Sequence, residues 1–380
     1  MRILYIIDGM FNSAGMERTV SNKVKYLEKL GYEVSILTTN QKGREYFYDI
    51  PTNVKKIDLN INFDDYISLN IIKRILLYLY KSIIFRRRLY DVLYKGQYDV
   101  VVSLMPRSIN LLNRFPGKIK TIYEHHFSYY FNDQFDKAFN RSILSKIIYK
   151  LKFNRFCKEL RLVDRFVVLT EEDKQYWSQH YPYKNIINIP NSIEFDNDKQ
   201  SPLTSKIIIS VGRLDYQKGY DQLIPMWQNL TEKYPDWELH LYGDGPDKEK
   251  LLNLIYSLNL QNVVKIFPPT KEIEEKLLSA SIYALSSRFE GLPMVLLEAM
   301  AVGLPVVAFA CKCGPRDIIE DSLNGYLCDS SDNLDFISKL EKLVNSSELR
   351  LNISNNAKIR ASDFSHQNIA KIWDKLFKEL

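Results

Sequence analysis

Two carboxylates eight positions apart, Glu290 and Glu298, flank the turn Gly291-Leu292-Pro293 in the run Ser286-Ser287-Arg288-Phe289-Glu290-Gly291-Leu292-Pro293-Met294-Val295-Leu296-Leu297-Glu298-Ala299-Met300-Ala301. The apolar residues before the run read as a buried strand ending at Leu285. Gly291 is free to take the turn, and Pro293 suits the first position of a helix running to about Val302. The first amides of such a helix have no intrahelical acceptor and can receive a phosphate, with Gly291 and Leu292 lending backbone at the same point. Glu290, ahead of the helix, reaches into the same cleft. Glu298, about one and a half turns in, can accept hydrogen bonds from sugar hydroxyls. One short segment can therefore grip a diphosphate and the sugar on either side of it. Glutamates flanking a helix start are also common as caps and solvated charges, so the surroundings must decide.

Phosphate chemistry reappears in Gly212-Arg213-Leu214-Asp215-Tyr216-Gln217-Lys218-Gly219. A strand ending in Gly212 and followed by Arg213 and Lys218 directs two cations at one diphosphate, the guanidinium as a fork and the ammonium as a point charge. Preorganised cations of this kind offset the charge of a departing phosphate without a metal, and no Asp-x-Asp pair stands at a strand end. The loop Gly243-Asp244-Gly245-Pro246 is a further glycine turn after a strand. Near the start, Asp8 to Arg18 is a loop that lacks Gly-x-Gly-x-x-Gly, which leaves a dinucleotide dehydrogenase without its fingerprint. In Tyr123-Glu124-His125-His126-Phe127, adjacent histidines on a continuing strand point to opposite faces, so one of the two faces the cleft.

These residues need a scaffold, and the chain supplies alternating strand and helix patterns, the signature of parallel sheets covered by helices. Ile3–Asp8, Glu33–Thr38, Tyr98–Ser103, Lys120–His125 and Arg165–Thr170 read as strands of a first series, with an amphipathic helix over Val20–Gly31. Lys206–Val211, Glu238–Tyr242, Val263–Phe267, Ile282–Leu285 and the apolar run to Phe309 form a second. Between them, Ile189–Ile193 and the polar Glu194–Thr204 read as a linker. The fold class is α/β, with two Rossmann-like domains facing a cleft, as 380 residues exceed one usual core. The divisions expected are 1–190, 191–365, and a final helix over 366–380.

The chain is 46% hydrophobic and 26% charged, which suits a globular protein and leaves no disordered tract. Its net charge of +6 hides an asymmetry: residues 1–190 hold 31 Lys and Arg against 19 Asp and Glu, and the remainder 21 against 27. Two basic stretches interleaved with apolar and aromatic residues, Ile71–Arg88 and Ser142–Arg161, suit an anionic membrane surface, whereas Lys73, Arg74 and Lys81 interrupt any spanning run. No nucleic-acid motif is present. The first residues form a strand rather than a secretion signal, and Cys157, Cys311, Cys313 and Cys328 lack zinc spacing, so a reducing cytoplasm is expected.

Taken together, Glu290-x7-Glu298 with its flanking words, Gly212-Arg213 with Lys218, Gly15-Met16-Glu17-Arg18, Gly314-Pro315-Arg316-Asp317 and Asn324-Gly325-Tyr326 resemble the retaining glycosyltransferases of family 4. Asp317 stands where many relatives have Glu, and Pro268-Pro269 where many have glycine. The resemblance implies a GT-B fold and a nucleotide-sugar donor, UDP-linked by preference, with no metal or other cofactor. It implies that Glu290 contacts the transferred sugar, Glu298 the ribose, and Arg213 with Lys218 the leaving diphosphate. Gly15, Gly212, Gly243, Gly291 and Leu292 would line the donor site. His125 is the favoured sugar contact, with His126 as the alternative, and Tyr129 and Tyr130 would line the acceptor. The acceptor implied is a glycan hydroxyl, on a lipid-linked intermediate of capsule, lipopolysaccharide or other surface-polysaccharide synthesis at the inner membrane face. The last helix would cross back to the first domain, with Trp373 and Phe377 packed at the hinge. Two rivals are a GT-B sugar-nucleotide epimerase and a non-catalytic sugar-nucleotide-binding partner of another transferase.

Overall fold

The computed structural model describes residues 1–12, 15–66, 71–129, 143–181, 183–196, 198–330 and 332–380. Its first sheet comprises β1 (Arg2–Ile7), β2 (Glu33–Thr38), β3 (Lys55–Asp58), β4 (Val100–Ser103), β5 (Lys120–His125), β6 (Arg165–Val168) and β7 (Ile186–Asn188). Their spatial order is β3-β2-β1-β4-β5-β6-β7. The second sheet comprises β8 (Ile207–Val211), β9 (Glu238–Tyr242), β10 (Val264–Phe267), β11 (Ile282–Leu285), β12 (Val306–Phe309) and β13 (Tyr326–Cys328), in the order β10-β9-β8-β11-β12-β13. Neighbouring strands pair in parallel throughout both sheets. The architecture is the two-domain α/β fold expected.

The central strands are apolar along their length because helices cover both faces. In β1, Ile3, Tyr5 and Ile7 pack with Val20, Val24 and Leu27 of the helix Gly15–Lys29. The alternate residues Leu4 and Ile6 meet Phe85, Leu89 and Leu93 of the helix Ile71–Gly96 on the other face. The second sheet divides its residues the same way: Ala284 packs with Trp227 and Leu230, Tyr283 and Leu285 with Leu296, Leu297 and Met300 of the helix Met294–Ala301.

The final helix, His366–Lys378, returns to the first domain. Ser365 caps it by accepting from the Asn368 amide at 3.5 Å. Trp373 and Phe377 are buried in the same cluster as Ile3 and Tyr5, and the Tyr32 hydroxyl donates to Asp374 at 2.7 Å. The two passages between domains run side by side, with the Ile193 amide donating to the Phe364 carbonyl at 2.9 Å.

Three strands were not anticipated: β3, β7 and β13. Each is a sheet edge of three or four residues. Edge strands are covered on fewer sides and need less apolar surface, and Lys55-Lys56-Ile57-Asp58 has almost none. The first helix begins at Gly15, five residues ahead of the amphipathic stretch that marked it. Pro293 stands at the cap of its helix, one position before the first helical residue.

Candidate active site

The carboxyl ends of β8 and β11 lie together, and side-chain bonds staple the loops that follow them. Arg288 grips the Asp221 carboxylate with both terminal nitrogens, at 2.7 and 2.9 Å, and donates to the Tyr216 carbonyl at 2.8 Å. Gln217 donates to the Phe289 carbonyl at 3.1 Å, and Ser286 to the Lys218 carbonyl at 2.9 Å. This stapling brings Lys218 Nζ to 2.7 Å from Glu290 Oε1, which also accepts from the Ser287 hydroxyl at 2.6 Å. Both charged side chains are largely enclosed, with 19% of Lys218 and 6% of Glu290 exposed. Burial acts to lower the Lys218 pKa, but the Glu290 charge and hydrogen bond outweigh it, so the ammonium is held protonated.

Glu298 is positioned differently. It lies on the half-buried face of the helix Met294–Ala301, with Met294 and Val295, and its partner comes from the other domain: Arg18 Nη1, 2.6 Å from Oε1. The other carboxylate oxygen, Oε2, is buried with no hydrogen-bond partner among the described residues. Burial raises the pKa of Glu298, and Arg18 opposes that shift. At the start of the same helix, among the described residues, the amides of Gly291, Leu292, Met294 and Val295 have no protein acceptor. The turn is pressed against the first domain, since a Cβ on Gly291 would lie 2.9 Å from the His126 carbonyl oxygen.

The histidine pair separates as strand alternation requires. His125, the favoured residue, points into an aromatic cluster with Phe156, Phe166 and Trp177 and lies 3.3 Å from the Tyr123 hydroxyl. Burial, with His126 adding to it, takes its pKa down to about 3. The preference for His125 is therefore corrected to His126. The His126 ring is buried with Nε2 3.1 Å from Glu124 Oε1, on the side of the buried Lys23–Glu124 ion pair. Burial pushes the Glu124 carboxyl up, yet Lys23 and His126 outweigh it and hold it well below the usual range. Tyr129, expected at the acceptor site, belongs to the aromatic cluster, with its ring stacked 5.0 Å from His180 and its amide donating to Asp173 at 2.7 Å. Tyr130 lies outside the described residues.

Other expected residues fall into four positions. Lys218 is inside, whereas Arg213 is 71% exposed at the rim, 3.6 Å from Asp215. Gly15 opens the first helix, with no atom within 4 Å of where its Cβ would stand. Gly243 has a structural reason of its own: a Cβ there would lie 1.9 Å from the Gly212 carbonyl oxygen, so both glycines belong to the packing of adjacent loops.

A second seam crosses the cleft beside this site. Asp317 accepts from the Glu171 amide at 2.5 Å, and the Cys313 amide donates to Glu172 at 2.9 Å. Lys312, whose carbonyl accepts from the Glu290 amide at 3.3 Å, reaches the Tyr176 hydroxyl at 2.5 Å. Asp173 is buried in this seam, and burial takes its pKa up to about 7 despite the hydrogen bond from Tyr129. Sequence reasoning assigned no role to Ser287, Arg18, Lys23 or Glu124. Arg18 and Glu298 are 280 positions apart, and only the meeting of two domains pairs them. Among the described residues, no group of three or more His, Cys, Asp or Glu is arranged to hold a metal ion.

Comparison with known proteins adds an independent line. A family model described as glycosyl transferases group 1 matches residues 191–360, and one described as Glycosyltransferase Family 4 matches residues 13–197. An uncharacterised glycosyltransferase of Haemophilus influenzae is 32% identical, with 98% of each chain covered. The amylovoran biosynthesis glycosyltransferase AmsD of Erwinia amylovora is 30% identical, with 99% of each covered. Among solved structures, a mutant of S. aureus TarM in complex with fondaparinux, alpha-GlcNAc-glycerol and UDP has a TM-score of 0.78 at 17% identity, over 99% of each chain.

Proposed function

The chain belongs to glycosyltransferase family 4, and from that premise we propose that it transfers a hexose-type sugar from a UDP-sugar, with retention and without a metal, to a glycan hydroxyl. The observation that carries the reading is the state of Glu298: a buried carboxylate held at Oε1 by Arg18 and with Oε2 lacking a hydrogen bond, on a helix whose leading amides have no acceptor among the described residues. Ribose hydroxyls are donors of the kind Glu298 lacks, and a diphosphate is the acceptor those amides lack. UDP is favoured because TarM, with the same fold, was crystallised with it.

Under this reading Glu290 holds the transferred sugar, with its carboxylate fixed by Lys218 and Ser287. Lys218 and the helix amides meet the charge that gathers on the leaving β-phosphate, and Arg213 closes over the donor from the rim. The acceptor hydroxyl attacks from the face that the diphosphate leaves and passes its proton to a phosphate oxygen. No separate protein base is then required. His126, beside the Gly291 turn, contacts the donor sugar from the first domain. The acceptor is a lipid-linked intermediate of surface-polysaccharide synthesis, consistent with the name of AmsD, and the protein works peripherally at the cytoplasmic membrane face.

The test is nucleotide release from a panel of UDP-, GDP- and ADP-sugars in chelator, with Glu298→Ala and Arg213→Ala proteins alongside. One donor is expected to be hydrolysed slowly, with kcat/KM falling at least about tenfold in each variant, a loss of roughly 1.4 kcal/mol in transition-state stabilisation. No binding to any donor would overturn the site, an isomerised sugar would favour an epimerase, and hydrolysis unchanged by both substitutions would remove their assigned roles.

A further inference from the structure

One helix of the first domain is exposed in a way that the transfer reaction does not explain. Among the described residues, Ile71–Gly96 docks on β1 through its second half, where Phe85, Leu89 and Leu93 are buried. Along its first half, Ile75, Leu76, Tyr78, Leu79, Tyr80 and Ile83 are all exposed, Ile83 by 70% and Leu76 by 62%. Ile75, Leu79 and Ile83 follow one another at intervals of four, as do Leu76 and Tyr80, so the side chains form a continuous apolar band. Isolated exposed apolar residues are ordinary, but six within nine positions of one helix mark a surface that meets something.

The charges around the band say what. From Tyr66 to Tyr90 the chain has six cations, Lys73, Arg74, Lys81, Arg86, Arg87 and Arg88, and no acidic residue. Lys81 and Arg88 are engaged within the protein, by Asp65 and by the Leu59 carbonyl respectively. Arg86 and Arg87 are exposed beside the apolar band, Arg86 with its guanidinium 5.5 Å from the centre of the Tyr90 ring. A protein groove that matched this face would need acidic and apolar patches in register, whereas an anionic bilayer surface offers both in any register. The other basic stretch is a poorer fit, since the described part of the helix Ile143–Leu160 exposes only Ile147 and Leu151 among large apolar side chains. Among the described residues no helix is long and apolar enough to cross a membrane, so the contact is interfacial.

We propose that the first half of the helix Ile71–Gly96 is a membrane-docking element, with Ile75, Leu76, Leu79, Tyr80 and Ile83 entering the headgroup layer of an anionic bilayer and Arg86 and Arg87, just beyond them, meeting its lipid phosphates. None of Leu79, Ile83, Arg86 and Arg87 is among the donor-site residues described above, so the element can be tested without changing a group that holds the donor. The full chain is floated with vesicles of phosphatidylcholine alone and of phosphatidylcholine with about 30% phosphatidylglycerol, at low and high salt. The expected result is binding to the anionic vesicles at least tenfold above the neutral ones, weakened by salt. Leu79→Glu with Ile83→Glu, and separately Arg86→Glu with Arg87→Glu, should each reduce that binding at least tenfold. Thermal midpoint and nucleotide release in solution should stay unchanged in both, which separates a docking failure from a failure of the site reading. Equal binding to neutral vesicles, binding unaffected by either double substitution, or a soluble oligomer dissolved by Leu79→Glu with Ile83→Glu would each overturn the proposal, the last in favour of a second copy.

Discussion

The two carboxylates of the Glu-x7-Glu run are only eight residues apart, yet they are held by opposite strategies. Glu290 takes both its partners, Lys218 and Ser287, from its own domain, so its geometry is set before the domains meet. Glu298 takes Arg18 from the facing domain at Oε1 and keeps Oε2 without a hydrogen bond. The first is a satisfied charge and the second an unfinished one. A reacting centre gains from rigid preorganisation, whereas a recognition point gains from polar groups whose partners arrive with the ligand.

Perturbing each strategy should give unequal results. The largest effect is expected from Lys218→Ala, which strands the buried Glu290 charge. Activity should fall by about a thousandfold and stability by roughly 3–5 kcal/mol, read by steady-state kinetics and chemical denaturation. Next comes Asp173→Asn, which probes the cross-cleft seam. The Asp173 pKa is raised to about 7 in the folded protein from 3.8, so the folded state binds the proton more tightly. Its stabilising contribution is full below about pH 4 and is lost as pH rises towards 7, so stability should decline across that window and Asp173→Asn should flatten the decline. The shift corresponds to a few kcal/mol at most, measured by denaturation at pH 4, 6 and 8. The smallest effect on stability is expected from Glu298→Ala, within about 1 kcal/mol of zero or slightly stabilising, because it removes an under-partnered buried carboxylate. A destabilisation as large as that of Lys218→Ala would erase the contrast between the two glutamates.

The central strands could be read from sequence because they are apolar on both faces, and Glu33–Thr38, Lys120–His125, Glu238–Tyr242 and Ile282–Leu285 match their observed bounds. The edges β3, β7 and β13 could not, since one open side relaxes the demand for apolar residues. Glu290 and Lys218 could be assigned to one donor site because each follows a strand end, but their contact depends on β8 and β11 being neighbours, which residue spacing does not reveal. Arg18–Glu298 and Lys23–Glu124 were not, because such pairs are created by docking and leave no local spacing. The choice between His125 and His126 needed the phase of β5, which one residue of register reverses.

The return of His366–Lys378 to β1 also constrains how the chain is made. Ile3 and Tyr5 emerge from the ribosome long before Trp373 and Phe377, yet the cluster that encloses them includes both. The first domain therefore has to wait, with part of its apolar surface uncovered, until the helix His366–Lys378 has been translated. The second domain can close its own core earlier. For this protein, synthesis order and burial order run in opposite directions, and a nascent chain stalled before residue 366 would be a natural client for chaperones.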